Sequence, residues 1–364
     1  MIALALLILA APPDPAPAGM RDALDAVVTV TPWLSSPDAF RDPANARAVT
    51  SSLDTLSRLK HPLFAAPTAS PSAVAELFGR QATVAQTDFA SGATERARYR
   101  LRALTQVCLG CHLRAPKRDF ADLEGKVAKL ELPPLQKAEL FATTRQFDRA
   151  IAVWRAELVK PARLETDLFD QLDALRLAVR VAVQSRDDPK LAKELISAQL
   201  KRPQLPAFVA RELAGWEKDV TAWEKERFGI TSQPPASLMS RARTLVEDSG
   251  ALATVTPVPE RFVALLRAAA YLDEALRQAP DGPHRAEALW LLGVANASLF
   301  DTPLWQLESM YLEACVRENP GTPRAVGCAT RLRERAFYSY RARADIPPEV
   351  WTTLGELSAL AKQK

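Results

Sequence analysis

The stretch Thr94-Glu95-Arg96-Ala97-Arg98-Tyr99-Arg100-Leu101-Arg102-Ala103-Leu104-Thr105-Gln106-Val107-Cys108-Leu109-Gly110-Cys111-His112 decides the fold. Within it, Ala97, Leu101, Leu104, Cys108 and Cys111 recur at spacings of four, three, four and three, one apolar stripe at heptad period. The spacing predicts a helix with a buried seam that ends on the two cysteines. His112 follows Cys108 by four residues and continues the same face. Arg96, Arg98, Arg100 and Arg102 fall on the more polar sides and read as a solvated face. Pro116 ends the segment.

Three earlier segments carry matching stripes. Met20 to Trp33 puts Met20, Leu24, Val27 and Thr31 on one face. Asn45 to Lys60 does the same with Val49, Leu53 and Leu56, and Ser72 to Ala90 with Val74, Leu77, Phe78, Ala82, Ala85 and Phe89. Four helices with short connections predict an up-down-up-down bundle. In that topology the end of the fourth helix meets the start of the first, the end of the second and the start of the third.

The rest of the composition agrees with an all-α protein. Helix formers dominate the 364 residues and β-branched runs are scarce. The 28 prolines collect in connectors such as Pro12-Pro13-Asp14-Pro15 and Gln233-Pro234-Pro235. A net charge of +4 with no dense basic stripe argues against nucleic acid as a partner.

The run from Ile2 to Ala11 is apolar but too short to span a bilayer. It fits the core of a secretory signal, and Ala16-Pro17-Ala18 before Gly19 resembles a cleavage site, so residues 1–18 are expected to be a signal peptide. The usual basic start is missing. An uncleaved terminus would instead tether the protein to a membrane.

Of the four cysteines, Cys108 and Cys111 stand in Cys108-Leu109-Gly110-Cys111-His112. Two thiols at this spacing can each add to one vinyl group of a haem, and the adjoining histidine then meets the iron as proximal ligand. The expected cofactor is therefore one covalent haem c, with His112 on the iron. The rival readings are a thioredoxin-like redox pair and half of a zinc site. A redox pair belongs after a strand and at a helix start, which this sequence does not offer. A zinc site needs a second ligand pair, and none has suitable spacing. Covalent haem also requires export, which makes the periplasm the expected location.

The segment Leu104 to His112 resembles class II cytochromes c, the cytochrome c-prime type, in which Cys-x-x-Cys-His closes the last helix of a four-helix bundle. The resemblance covers residues 20 to about 120. It implies a haem-bearing bundle at one end of a bacterial periplasmic multidomain c-type cytochrome. That family often follows the histidine with an aromatic-Arg pair, where this chain has Leu113-Arg114-Ala115-Pro116-Lys117-Arg118. Arg114 or Arg118 would then serve the haem propionates. Three arrangements stay open on the distal side of the iron: His61, Met20, or an empty apolar face. His61 is favoured, because it precedes Pro62 and is released from helix phase. Met239, Met310 and His284 belong to the second half and are weaker candidates.

After Pro133-Pro134 a new helical pattern begins. Ala138 to Arg145 and Phe147 to Leu158 read as a helix pair, with Ala150 and Trp154 at the small-then-aromatic spacing of a tetratricopeptide repeat. No clean 34-residue period emerges, and a generic α-helical region is the alternative. Residues 167–186 and 207–227 read as long helices, and Gly229 to Pro235 as a break. The expected organisation is 1–18 signal, 19–125 haem bundle, 126–230 and 231–364 two regions resembling tetratricopeptide repeats. The part from Leu135 onward is expected to fold by itself. Cys315 and Cys328 flank the turn Asn319-Pro320-Gly321-Thr322-Pro323. In a helical hairpin they would sit at similar heights, either as a disulfide or as two buried thiols.

The expected function is electron transfer to redox partner proteins, with the helical repeats as docking surface. A haem-based gas or redox sensor, or a peroxidase-like enzyme with an open iron, is the alternative. No Ser-His-Asp set, phosphate-binding glycine loop or His-Glu-x-x-His run is present, so a carrier is expected rather than an enzyme.

Overall fold

The computed structural model describes residues 18–59, 73–112, 121–161, 165–203, 205–226, 229–299, 307–340 and 346–363. Among these residues there are seventeen α-helices and no strand. The all-α expectation holds.

The first long helix, α1 (Ala18–Leu34), leads through short α2 (Pro37–Arg41) into α3 (Pro43–Ser57). Then come α4 (Ala73–Ala90) and α5 (Thr94–His112). Helix α2 is too short for a periodic stripe to reveal it, but its punctuation is explicit. Ser36 caps it by accepting from the Ala39 amide at 3.2 Å, Asp42 caps α3 by accepting from Ala44 at 2.9 Å, and each cap is followed by a proline.

The four long helices form an antiparallel ring: α1 lies on α3, α3 on α4, α4 on α5, and α5 on α1. At one end, Arg98 donates to the Leu34 carbonyl at 2.6 Å, and the Phe40 and Phe89 rings meet edge to face at 5.5 Å. At the other, a methyl on Gly79 would lie 3.5 Å from the Ser57 carbonyl, and one on Gly19 would touch Leu59. The start of α1, the end of α3 and the start of α4 therefore gather where α5 ends. Helix α6 (Ala121–Lys129) brings Leu123 to that end, beside Met20 and Leu24. It runs through residue 125, where the sequence suggests a boundary.

Next come α7 (Pro134–Thr143), α8 (Phe147–Leu158), α9 (Glu165–Gln184), α10 (Pro189–Leu200) and α11 (Ala207–Trp223). Each packs on its sequence neighbour. Arg145, at φ 66°, breaks α7 from α8 in the left-handed region. Ala150 and Trp154 are fully buried. The segment 229–235 holds a short 3-10 turn, Ile230–Ser232, before α12 (Pro235–Asp248).

Helix α13 (Phe262–Gln278) is buried from Phe262 to Leu276 and touches α9, α11, α12 and α14 (Arg285–Ala297). A helix with no solvated face is an axle for its neighbours. Helices α15 (Leu307–Glu318), α16 (Pro323–Ser339) and α17 (Pro348–Leu360) complete the chain. Cys315 on α15 and Cys328 on α16 lie at disulfide distance, with Sγ atoms 2.04 Å and Cα atoms 6.3 Å apart. Helix α15 also packs on α4, where Arg80 meets Glu313 at 2.7 Å. One apolar core runs unbroken from α1 to α17.

Candidate functional site

Helix α5 carries the stripe as expected: Ala97 and Leu101 are fully buried and Leu104 nearly so. The helix continues through Cys108 and Cys111 to His112. Helical spacing places Cys108 one turn from Cys111 and from His112 on one side of α5. Cys108 is half-buried and packs against the main core. Val107, Leu109 and Gly110 around it are buried. Cys111 and His112 are the last two residues of α5, and their side chains lie outside the described residues.

The arginines of α5 differ from the expected solvated face. Arg96 and Arg102 are exposed, but Arg100 is buried. It holds Asp88 at 2.8 Å and reaches Glu349 at 3.5 Å. A long side chain can bury its stem and still find carboxylates on two other helices, which helix phase alone does not reveal.

Met20 lies in the first turn of α1, at the same end as Cys108. It is buried with Leu24 and Leu123, and Leu59 packs against them. His61, Arg114 and Arg118 lie outside the described residues, as does the signal-like run 1–17. His284 is exposed at the start of α14, while Met239 and Met310 are buried in α12 and α15.

Two side chains that the motif did not announce close on the last turn of α5. A methyl on Gly110 would lie 3.1 Å from Leu307 Cδ2 and 3.3 Å from Arg180 Nη2. A Cβ there would make both side chains give by a few tenths of an ångström, so glycine eases the close approach of α15 and α9 to the Cys-x-x-Cys-His turn. Arg180 is 6% exposed, and its Nε donates to Gln184 Oε1 at 2.9 Å. The Gln184 amide nitrogen is buried with no hydrogen-bond partner among the described residues. The sequence did carry a signal for Arg180. It is the lone cation in the apolar run Leu177-Ala178-Val179-Arg180-Val181-Ala182-Val183, and a charge in such a run is buried and partnered more often than solvated.

The surroundings bear on the rival readings of the motif. Cys315 and Cys328 are engaged with each other, which removes the other two thiols of the chain from any four-cysteine zinc site. The motif ends a helix instead of opening one after a strand, against a thioredoxin-like pair. By its chemistry the donor set, two thiols one turn apart and an adjoining histidine, could tether a haem and bind its iron. The described side chains gathered at this end of the bundle, Met20, Leu24, Leu59 and Leu123, are apolar. No family model, curated protein or solved structure matches the chain.

Proposed function

We propose that this chain is an exported monohaem c-type cytochrome of the bacterial periplasm that carries electrons between partner proteins. The observation that carries the proposal is Cys108-Leu109-Gly110-Cys111-His112 on the closing turn of α5, with Cys108 against the core. In this reading Cys108 and Cys111 form thioethers and His112 is the proximal base. Arg114 or Arg118 is the propionate partner. When bound, the group supplies a one-electron couple whose potential depends on axial ligands, burial and nearby charge.

The chain's own residues do the positioning. The buried stripe of α5 holds the turn still, and the Gly110 side is walled by α9 and α15. Leu24, Leu59 and Leu123 keep water from the bundle end. Helices α1 and α3 to α5 form the cytochrome c-prime-like part. The stacked hairpins from α7 onward are read as resembling tetratricopeptide repeats and as the surface for redox partners. The Cys315–Cys328 pair at disulfide distance supports an oxidising compartment.

The sixth position is assigned to His61, with Met20 as the alternative. A second reading, a gas or redox sensor or a peroxidase-like site with an open iron, is favoured by the packing of Met20 among leucines, which leaves an apolar distal side.

The purified protein and three variants test the haem assignment. The mature mass should exceed the polypeptide by one haem, acid-acetone should fail to extract the pigment, and Cys108→Ala with Cys111→Ala should abolish attachment. Extraction of the pigment would overturn the proposal. Low-spin spectra that turn high-spin in His61→Ala support the histidine. Conversion only in Met20→Leu moves the assignment to the thioether, and a high-spin native protein selects the open-site reading.

A further inference from the structure

We propose that Arg180 is a positioning residue for the haem-attachment turn, and that its buried charge raises the reduction potential of the group held there. The inference rests on the cytochrome reading but reaches outside the bundle, to a residue of the second half.

Three observations carry it. First, Arg180 Nη2 stands 3.3 Å from where a Cβ on Gly110 would be, inside the Cys-x-x-Cys-His run itself. Second, the guanidinium is fixed: it is 6% exposed, and Gln184, one turn along α9, takes its Nε at 2.9 Å. Third, it lies at the C-terminal turn of α5. The last four carbonyls of a helix lack helical partners and form the negative end of its dipole. A cation is the complement of that end, and Leu307 from α15 closes the same spot against water.

The electrostatic consequence has a definite sign. A one-electron reduction lowers the charge of the iron centre by one unit. A fixed positive charge nearby favours the reduced form, and low dielectric strengthens the effect. Arg180 therefore raises the potential, and the second half of the chain reaches the redox centre through it.

The test uses the full-length protein. Haem content by mass is measured first in every variant. A wild type without covalent haem overturns the cytochrome reading itself, and so is distinguishable from failure of the Arg180 assignment. With haem present, spectroelectrochemical titration of Arg180→Gln should show the reduction equilibrium weakened by roughly tenfold, about 59 mV for one electron. Arg180→Lys keeps the charge and should stay near the wild-type potential. If Arg180→Gln leaves the potential unchanged, or if Arg180→Lys falls as far, the charge is not the cause and the proposal fails. Should Arg180→Gln not fold, Arg180→Met, which keeps the long buried stem without the charge, supplies the same decision. Its potential falls if the proposal is right and stays put if it is wrong.

Discussion

Glu308 is closed off from solvent beside Leu307, with Arg335 Nη2 3.0 Å from its carboxylate. Burial pushes this carboxyl above the ordinary value of 4.5, and the Arg335 and Arg331 charges pull it back only in part. A raised folded-state value means that the native protein binds the proton more tightly than the unfolded chain. The stability from this group is then full below pH 4.5 and declines as pH rises through the raised value. Glu308→Gln cannot titrate, so its unfolding free energy relative to wild type should improve as pH rises above 4.5 and level off above the raised value. A flat difference across urea titrations at several pH values would show that Glu308 keeps its ordinary value. At this scale the sequence was partly legible. Cys108 and the stripe of α5 were explicit, because local spacing fixes which residues share a helix face. Arg100 was misjudged, because its partners Asp88 and Glu349 come from other helices and no local rule names them.

Helix boundaries were the most legible feature. The stripe of α5, the left-handed break at Arg145 and the proline-marked start of α12 all sit where the periodicity and punctuation put them. Helix α2 was missed, because five residues cannot show a period, although its two caps were there to read. The α15–α16 hairpin is the element with the clearest energetic handle. Its two cysteines are 13 residues apart. Cross-linking a loop of that size restricts the unfolded chain by about 3 kcal/mol. The double variant Cys315→Ser/Cys328→Ser should therefore unfold at lower urea by about that free energy, with reductant lowering the wild type alone. Equal midpoints for oxidised wild type and variant would rule out the cross-link as a source of stability.

At the scale of the whole molecule, one feature has no counterpart in the chain. A composition of helices and proline connectors suggests a division near residue 125 and a second half that folds by itself. Across that division one apolar core is shared, and α15 is packed on α4 through Arg80 and Glu313. Contacts between residues far apart in sequence leave no periodic trace, so this junction was illegible. It predicts coupled stability. Reducing the Cys315–Cys328 pair should raise amide hydrogen exchange in α4 and in the last turn of α5, far along the chain from either cysteine. Exchange changes confined to α15 and α16 would instead mark two independent units.

The glycine in the last turn of α5 also orders events in time. Leu307 and Arg180, which wall its Gly110 side, are synthesised after the turn itself. While the chain is still emerging, the turn is bare on that side. Once α9 and α15 have docked, it is enclosed. In the cytochrome reading proposed above, any catalyst that must grip both faces of the turn would have its opportunity before docking is complete, so maturation and folding would compete. A chain that closed too quickly would then be left compact, stable and without its pigment.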